Sequence, residues 1–308
     1  MTNLIIGGSG FIGSHLVDAL LARGEAVRVY DRAPERFRPT PKGVDFRQGD
    51  FSDTPNLAEA LTGVTRVFHL LSTTVPATSN LDPVNDIQTN LINTVRLLEL
   101  LRKTNVNQLV YLSSGGTVYG IPDCDTVPET HPLRPISSYG VVKVAVENYL
   151  HMEHHLHGLN YTALRVSNPY GPRQGHGGVQ GVIGTYLWKI ARDEPIELWG
   201  DGSIIRDFIY AGDLADQCLA AVDHGLQGCL NAGSGEGHSI QDILTAIRKV
   251  TGRPAAPIMK PGRGFDVPRI VLDMTRLKQQ LDWAPRVSLE EGIARTWEWV
   301  LSQKVQPT

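Results

Sequence analysis

Cysteine is scarce: three residues in a chain of 308, Cys124, Cys218 and Cys229, irregularly spaced and with no CxxC pair. That excludes a disulfide framework and argues against a cysteine zinc site. It reads as buried or free thiols in a reducing compartment. Neither sign of charge is in excess, since 29 Lys+Arg against 32 Asp+Glu leave a net charge of −3. A nucleic-acid-binding surface is therefore not expected, although a local basic cluster could still hold a small phosphorylated molecule. No apolar run reaches the length of a membrane span. The chain opens directly on a strand and a glycine turn, so no signal peptide is expected. There is no internal repeat and no low-complexity segment. A soluble, cytoplasmic protein is expected, built as one large domain or as two sharing an interface.

What is present is alternation. LIIGG is a short apolar run ending in glycines, then FIGSHLVDALLARG carries apolar residues at helical spacing and stops at Gly24. AVRVYD, VDFRQGD, RVFHLLS, NQLVYLSS and YTALRVSN read as further strands. Between them a helix is expected from about Thr54 to Leu61, a long amphipathic one over NDIQTNLINTVRLLELLRKT, and another from Ser138 to Gly158. Strands alternating with helices predict an α/β protein with a Rossmann-type, doubly wound parallel sheet. After Asn168 the pattern loosens into the Gly- and Pro-rich NPYGPRQGHGGVQG, then short elements: helices near Val182 to Arg192, from Gly212, and near Ser239 to Thr251 and Ser288 to Leu301, and strands at IELWG and Arg206 to Tyr210. The expected division is residues 1–167 for the sheet domain and 168–308 for a smaller α/β region, with the chain crossing back.

GGSGFIGSH lies between the first strand and the first helix and holds Gly8-x-Gly10-x-x-Gly13 and Gly7-x-x-Gly10-x-x-Gly13. Glycines let the chain turn sharply and bring backbone amides to a pyrophosphate, and the helix N-terminus adds favourable partial charge. Asp31 ends the next strand, where a carboxylate accepts the ribose hydroxyls of NAD and repels a 2′-phosphate. Arg32 beside it keeps NADP in play. Asp50, after the third strand, could receive an adenine amino group or be an ordinary loop aspartate.

Tyr139 and Lys143 stand at i and i+4 on one helix face. A free tyrosine, with a pKa near ~10, is a poor base. A lysine ammonium and a positive nicotinamide ring lower that value. Such a tyrosine can take a proton from a sugar hydroxyl. By chance alone the pair would be a solvated surface match; behind a complete dinucleotide turn it reads as chemistry.

In order, GGSGFIG, Asp31, QGD, VFHL, TNLINT, SSGGTVYG, SYGVVK, SNPYG, WGDGSIIRDFIYAGDLA and DWAPRVSLEEGIARTW resemble the extended short-chain dehydrogenases/reductases of the NAD-dependent epimerase/dehydratase family. Within it the chain is similar to the UDP-glucose 4-epimerases, over nearly its whole length. The resemblance implies an NAD-dependent nucleotide-sugar 4-epimerase acting on a UDP-linked sugar. It implies cofactor contacts at Gly7, Gly10, Phe11, Ile12, Gly13, Asp31, Arg32, Asp50, Phe51, Leu70, Asn90, Ser113, Tyr139 and Lys143. It places Asn168, Gln180, Arg206 and Arg263 at the nucleotide and diphosphate, and Ile270 near the sugar-size gate. For Arg206 the alternative is a surface ion pair with Asp207 or Asp213. It also implies a homodimer through a four-helix bundle of the helices from Asp86 and Ser138.

One departure bears on mechanism. Relatives carry Ser or Thr three positions before the VYG triplet, and Gly115 stands there. Thr117, Ser114, or a water in the space left by Gly115 could supply the hydroxyl, or the widened pocket could admit a bulkier sugar substituent. The runner-up activity is a 4-keto-sugar reductase using NADPH. A 4,6-dehydratase lacks its acid–base pair, since Gly116 and Thr117 occupy those positions. A non-catalytic NAD sensor needs neither Tyr139 nor Lys143. His151 and His155, at i and i+4 in HMEHHLH, have the spacing of metal ligands, but they close a helix without supporting carboxylates, and no metal is expected. Trp283, Trp297 and Trp299 read as packing.

Overall fold

The computed structural model describes residues 1–175, 181–262, 267–281 and 283–303. In chain order the first part runs β1 (Thr2–Ile6), α1 (Phe11–Ala22), β2 (Ala26–Asp31), β3 (Val44–Gln48), α2 (Thr54–Ala60), β4 (Arg66–His69), the short turns α3 (Pro76–Ser79) and α4 (Pro83–Asp86), a π turn (Ile87–Ile92), α5 (Asn93–Leu101), β5 (Gln108–Ser114), α6 (Ser138–His157) and β6 (Tyr161–Val166). The second part runs β7 (Asn168–Tyr170), α7 (Val182–Ala191), β8 (Ile196–Trp199), β9 (Ile205–Tyr210), α8 (Ala211–Asp223), β10 (Gly228–Ala232), β11 (Gly237–Ser239), α9 (Ile240–Thr251), β12 (Pro257–Lys260), β13 (Arg269–Ile270), α10 (Thr275–Leu281) and α11 (Leu289–Ser302).

Seven parallel strands form one sheet in the order β10-β6-β5-β4-β1-β2-β3. Leu4, Ile5 and Ile6 of β1 are all fully buried, as a strand covered on both faces requires. The strand order reverses between β1 and its neighbour β4, so the crevice at the carboxyl ends of those strands is where such a sheet takes a ligand. Helix α1 buries Leu16, Val17 and Leu20 against it.

The boundary at residue 167 is not a clean one. Strand β10 adds to the sheet beside β6, and α8 packs on α1 through a core shared by Leu16, Leu20, Leu214 and Leu219. Five short residues, GCLNA, carry no alternation that would have marked them as part of the first sheet. Apart from α10, which packs on β10 with Leu277 and Leu281 in the first core, the remaining elements form a second body. There β9 pairs with β7, β11 and β13, β8 pairs with β12, and a separate core gathers Ile183, Leu187, Ile243, Ile247, Ile293 and Val300. Trp283 and Trp297 are buried, and Trp299 packs edge-on against Phe37 and Trp188.

The helix expected over NDIQTNLINTVRLLELLRKT runs without a gap from α4 into α5, with helical backbone at each junction. It widens into the π turn, which buries Asn90. Helix α6 follows expectation: Ser137 caps it by accepting from the Gly140 N–H, and Gly158 ends it in the left-handed region at φ 72°.

Candidate active site

The glycine turn is built for close approach. Gly7 has φ 84°, and a Cβ there would stand 3.1 Å from the Leu71 backbone. A Cβ on Gly13 would lie 2.3 Å from the Gly7 carbonyl oxygen. Only glycine lets α1 sit this tightly on the turn. The Asp31 carboxylate closes over it, accepting from the Ser9 N–H (3.1 Å) and the Arg32 N–H (2.8 Å). Burial pushes this carboxyl upward, and those two bonds oppose the push. The turn thus offers amides, a helix N-terminus and an acceptor in the arrangement a dinucleotide requires. The Arg32 side chain is exposed.

The other expected cofactor residues divide by where their side chains go. Phe11 and Ile12 open α1, and Leu70 continues β4 through its N–H to the Ile6 carbonyl. The Asp50 carboxylate accepts from the Ser52 N–H and hydroxyl, which holds it below the usual range. The Phe51 ring is core, against His69. Asn90 accepts from the Thr73 N–H (2.9 Å) and donates to Asp86 (2.8 Å) and Thr74 (3.1 Å). Its side chain therefore shapes the loop after β4. The Ser113 hydroxyl is turned away from the sheet edge and donates to Glu147 at 2.5 Å.

Tyr139 stands at the same edge. Burial drives its phenol up to about 12, and the nearby hydroxyls of Ser72 and Ser114 pull the other way. The Ser72 proton is directed to the Thr74 carbonyl at 3.0 Å. Ser114 is therefore the hydroxyl with a proton to share with a phenolate. Lys143 lies beneath, its Nζ 5.3 Å from the Tyr139 ring centre and 4.6 Å from that of Tyr111, donating to the Leu112 carbonyl at 2.7 Å. Burial lowers its pKa to about 8, against the opposing pull of Glu147 and Asp86. At neutral pH the pair is an ammonium beside a neutral phenol. A pH–rate profile is therefore expected to show kcat/KM falling as the pH rises through about 8, where Lys143 loses the charge that supports a phenolate. An alkaline limb near that of a free lysine, ~10.4, would contradict this assignment.

Gly115 leaves no gap. A Cβ there would lie 2.7 Å from Leu272 Cδ1 and 2.9 Å from the Arg165 carbonyl oxygen, so the void expected for a water or a larger sugar substituent is already filled by Leu272. Thr117 also drops back: its Oγ1 is buried without a hydrogen-bond partner. Putting serine at the family's position, Gly115→Ser, is expected to cost about 1–3 kcal/mol by overpacking without raising turnover. Thermal melting and initial rates check this, and a variant both stable and faster would contradict it.

Several contributors were not seen in the sequence. Asp86, fully buried, accepts from Thr74 (2.7 Å), Asn90 (2.8 Å) and Ser138 Oγ (2.7 Å). It ties the loop after β4 and the π turn to the start of the helix that carries Tyr139. Ser72 could have been suspected from its place at the end of RVFHLLS. Asp86 could have been suspected from its i−4 relation to Asn90. Glu147 follows Lys143 by one helical turn, and nothing local marks it.

On the second body, Asn168 Nδ2 donates to the Asp207 carbonyl (3.0 Å), and Arg206 lies on β9 opposite Ile270 of β13. Ile270 is buried. Asp207 and Asp213, the carboxylates considered as partners for Arg206, accept instead from the N–H groups of Ser234, Gly235 and Leu272 and of Arg286 and Val287. Gln180 and Arg263 lie outside the described residues. His151 and His155 are exposed on the last turns of α6. Among the described residues no helix is long and apolar enough to cross a membrane.

Comparison with known proteins agrees with this geometry. A UDP-glucose 4-epimerase of Mycolicibacterium smegmatis is 35% identical over 97% of this chain and 98% of its own length. The crystal structure of the Thermotoga maritima UDP-glucose 4-epimerase with UDP-glucose superposes with a TM-score of 0.92 at 35% identity, covering 97% of this chain and 98% of that one. The Thermus thermophilus UDP-glucose 4-epimerase in complex with NAD gives 0.90 at 37% identity, covering 97% and 99%. Residues 3–233 match the model of the NAD dependent epimerase/dehydratase family. With the glycine turn, the strand-end aspartate and the Tyr–Lys helix in the places this fold demands, the chain belongs to that family.

Proposed function

We propose that this chain is an NAD-dependent nucleotide-sugar 4-epimerase of the UDP-glucose/UDP-galactose type. The observation that carries the reading is Tyr139 at the carboxyl edge of the sheet, its ring centre 5.3 Å from the Lys143 Nζ and its phenol beside the Ser114 hydroxyl. Bound NAD would supply a hydride acceptor and donor, held by Gly7, Gly10, Gly13 and Asp31, whose cradle a side chain would fill. Tyr139 takes the C4 hydroxyl proton, keeps it while the 4-keto sugar turns about its diphosphate, and returns it on the opposite face. Lys143 supports the phenolate by charge, and Ser114 donates to it. Asp86 fixes where the helix begins. Asn168, Gln180, Arg206 and Arg263 hold the diphosphate and uridine, which makes residues 168–308 mainly the nucleotide-sugar region and residues 1–167, completed by α8 and β10, the NAD-binding one. No net oxidation occurs.

The Asp31 carboxylate over the turn disfavours a 2′-phosphate, and with it the reductase reading. The test is proton NMR of purified protein with UDP-galactose and no added cofactor. UDP-glucose should appear; no conversion, in a protein isolated without nucleotide, would favour the reductase.

A homodimer through α6 and the long helix from Asp86, which is the π turn and α5, is part of the reading. On α6, Val141, Tyr149, Met152 and Leu156 form an exposed apolar stripe, and Leu81, Val84, Ile87 and Ile92 line the neighbouring face. A stripe of this kind marks an association surface. Val141→Glu with Leu156→Glu is expected to give a monomer by sedimentation, while a dimer unchanged by both would move the interface elsewhere. The free thiols support a cytoplasmic location.

A further inference from the structure

We propose that Asp123, Cys124 and His131 form a binding site for one zinc-class divalent cation. The three lie on the loop between β5 and α6, outside the Tyr–Lys site. The loop is pinned at its middle, where the Val127 N–H donates to the Val271 carbonyl (2.8 Å) and the Asp273 N–H to the Val127 carbonyl (3.0 Å). Pinning brings its two ends together, and one ligand atom from each of the three residues lies within 4.8 Å of the others.

The imidazole geometry points to a cation. His131 Nδ1 is 2.8 Å from the Pro132 carbonyl oxygen. A carbonyl only accepts, so Nδ1 carries the hydrogen. In the neutral ring Nε2 then presents its lone pair, and it faces Asp123 Oδ1 at 3.5 Å. A ring nitrogen and a carboxylate oxygen set face to face in this way are an arrangement that a cation between them would satisfy. The ring cannot turn away easily, because Tyr119 holds it edge-on at 5.7 Å and 89°. A carbonyl bond behind a histidine of this kind is the usual means of orienting a metal ligand.

The donor set selects the metal. Thiolate, imidazole and carboxylate together suit zinc and its neighbours, whereas magnesium and calcium take oxygen ligands. Zinc bonds of about 2.0–2.3 Å need the ligands somewhat closer than they now stand. The Asp123 side chain, 96% exposed, is free to close that distance. On binding, Cys124 gives its proton to solvent, and the sulfur, nitrogen and oxygen each donate a lone pair as waters leave the ion. Asp123 and Cys124 also line a neighbouring cleft of about 380 Å³ that runs from Ile121 to Asp125 and Val267 to Arg269. Asp125 is engaged by Arg269 (3.7 Å) and stands outside the ligand set. Bound metal would stiffen the loop against β13, whose Ile270 pairs with Arg206 on β9.

The test is equilibrium dialysis of the chelator-treated, full-length protein against zinc chloride. One zinc per chain is expected. Cys124→Ser and His131→Ala should each weaken binding more than about 100-fold, since loss of an outer-shell partner alone typically costs 10–100-fold. Cobalt should give a thiolate-to-metal charge-transfer band that Cys124→Ser abolishes. Thermal melts of both variants check that the fold persists. Zinc binding no tighter in the wild type than in the variants overturns the site and leaves a proton on His131 as what lies between the two groups. Zinc retained in both variants but lost in His151→Ala/His155→Ala overturns it equally and moves the metal to the end of α6.

Discussion

Replacing Tyr139 with phenylalanine is expected to lower kcat by about 10²–10⁴-fold, the usual contribution of a positioned acid–base group, with the nicotinamide cofactor still bound. The ring would still lie over Lys143, so the fold should hardly notice. Ser114→Ala should fall between that variant and the parent, because the phenolate loses the hydroxyl able to donate to it. Thr117→Val should leave kcat unchanged, its hydroxyl having no partner. Steady-state rates on the three variants check the order. If Thr117→Val were the slower of the two hydroxyl variants, the assignment of Ser114 would be wrong.

Glu147→Ala is expected to be the most damaging change to stability. Glu147 and Arg165 are both buried, joined at 2.8 Å, and Ser113 donates to the same carboxylate. Arg165 also donates to Tyr119 (3.0 Å) and the Glu129 carbonyl (3.0 Å), and Tyr119 to Asn231 (2.6 Å). Removing the carboxylate strands a guanidinium in the interior, at a cost of about 3–5 kcal/mol. Chemical denaturation measures it. The charge reaches the chemistry as well. Glu147 holds the Lys143 pKa up, so the milder Glu147→Gln should move the alkaline limb of the pH–rate profile to lower pH. A loss of stability with no movement of that limb would confine Glu147 to a packing role.

Much of the site is legible because it is local. A turn that must be glycine, a carboxylate closing the next strand and a tyrosine one helical turn before a lysine are each written within a few residues. The hydroxyl that serves Tyr139 is not local. Counting positions pointed to Gly115 as a gap, yet Leu272, far along the chain, fills the space beside it, and Ser114 is the hydroxyl left beside the phenol. Asp86 escaped because its three partners lie on three different elements. The widening at the π turn escaped because the amphipathic pattern continues across it. Strand β10 escaped because its place is set by its neighbour β6, not by its own five residues. On the proposed zinc site the partner of Cys124 is a histidine brought back by the loop, which spacing between cysteines does not register.

The most direct test of the account is the fate of deuterium placed at C4 of UDP-galactose. The account predicts UDP-glucose that keeps the label at C4 in ordinary water, since the hydrogen leaves and returns without meeting solvent while only the hydroxyl proton passes through Tyr139. Label lost to water in step with turnover would contradict it.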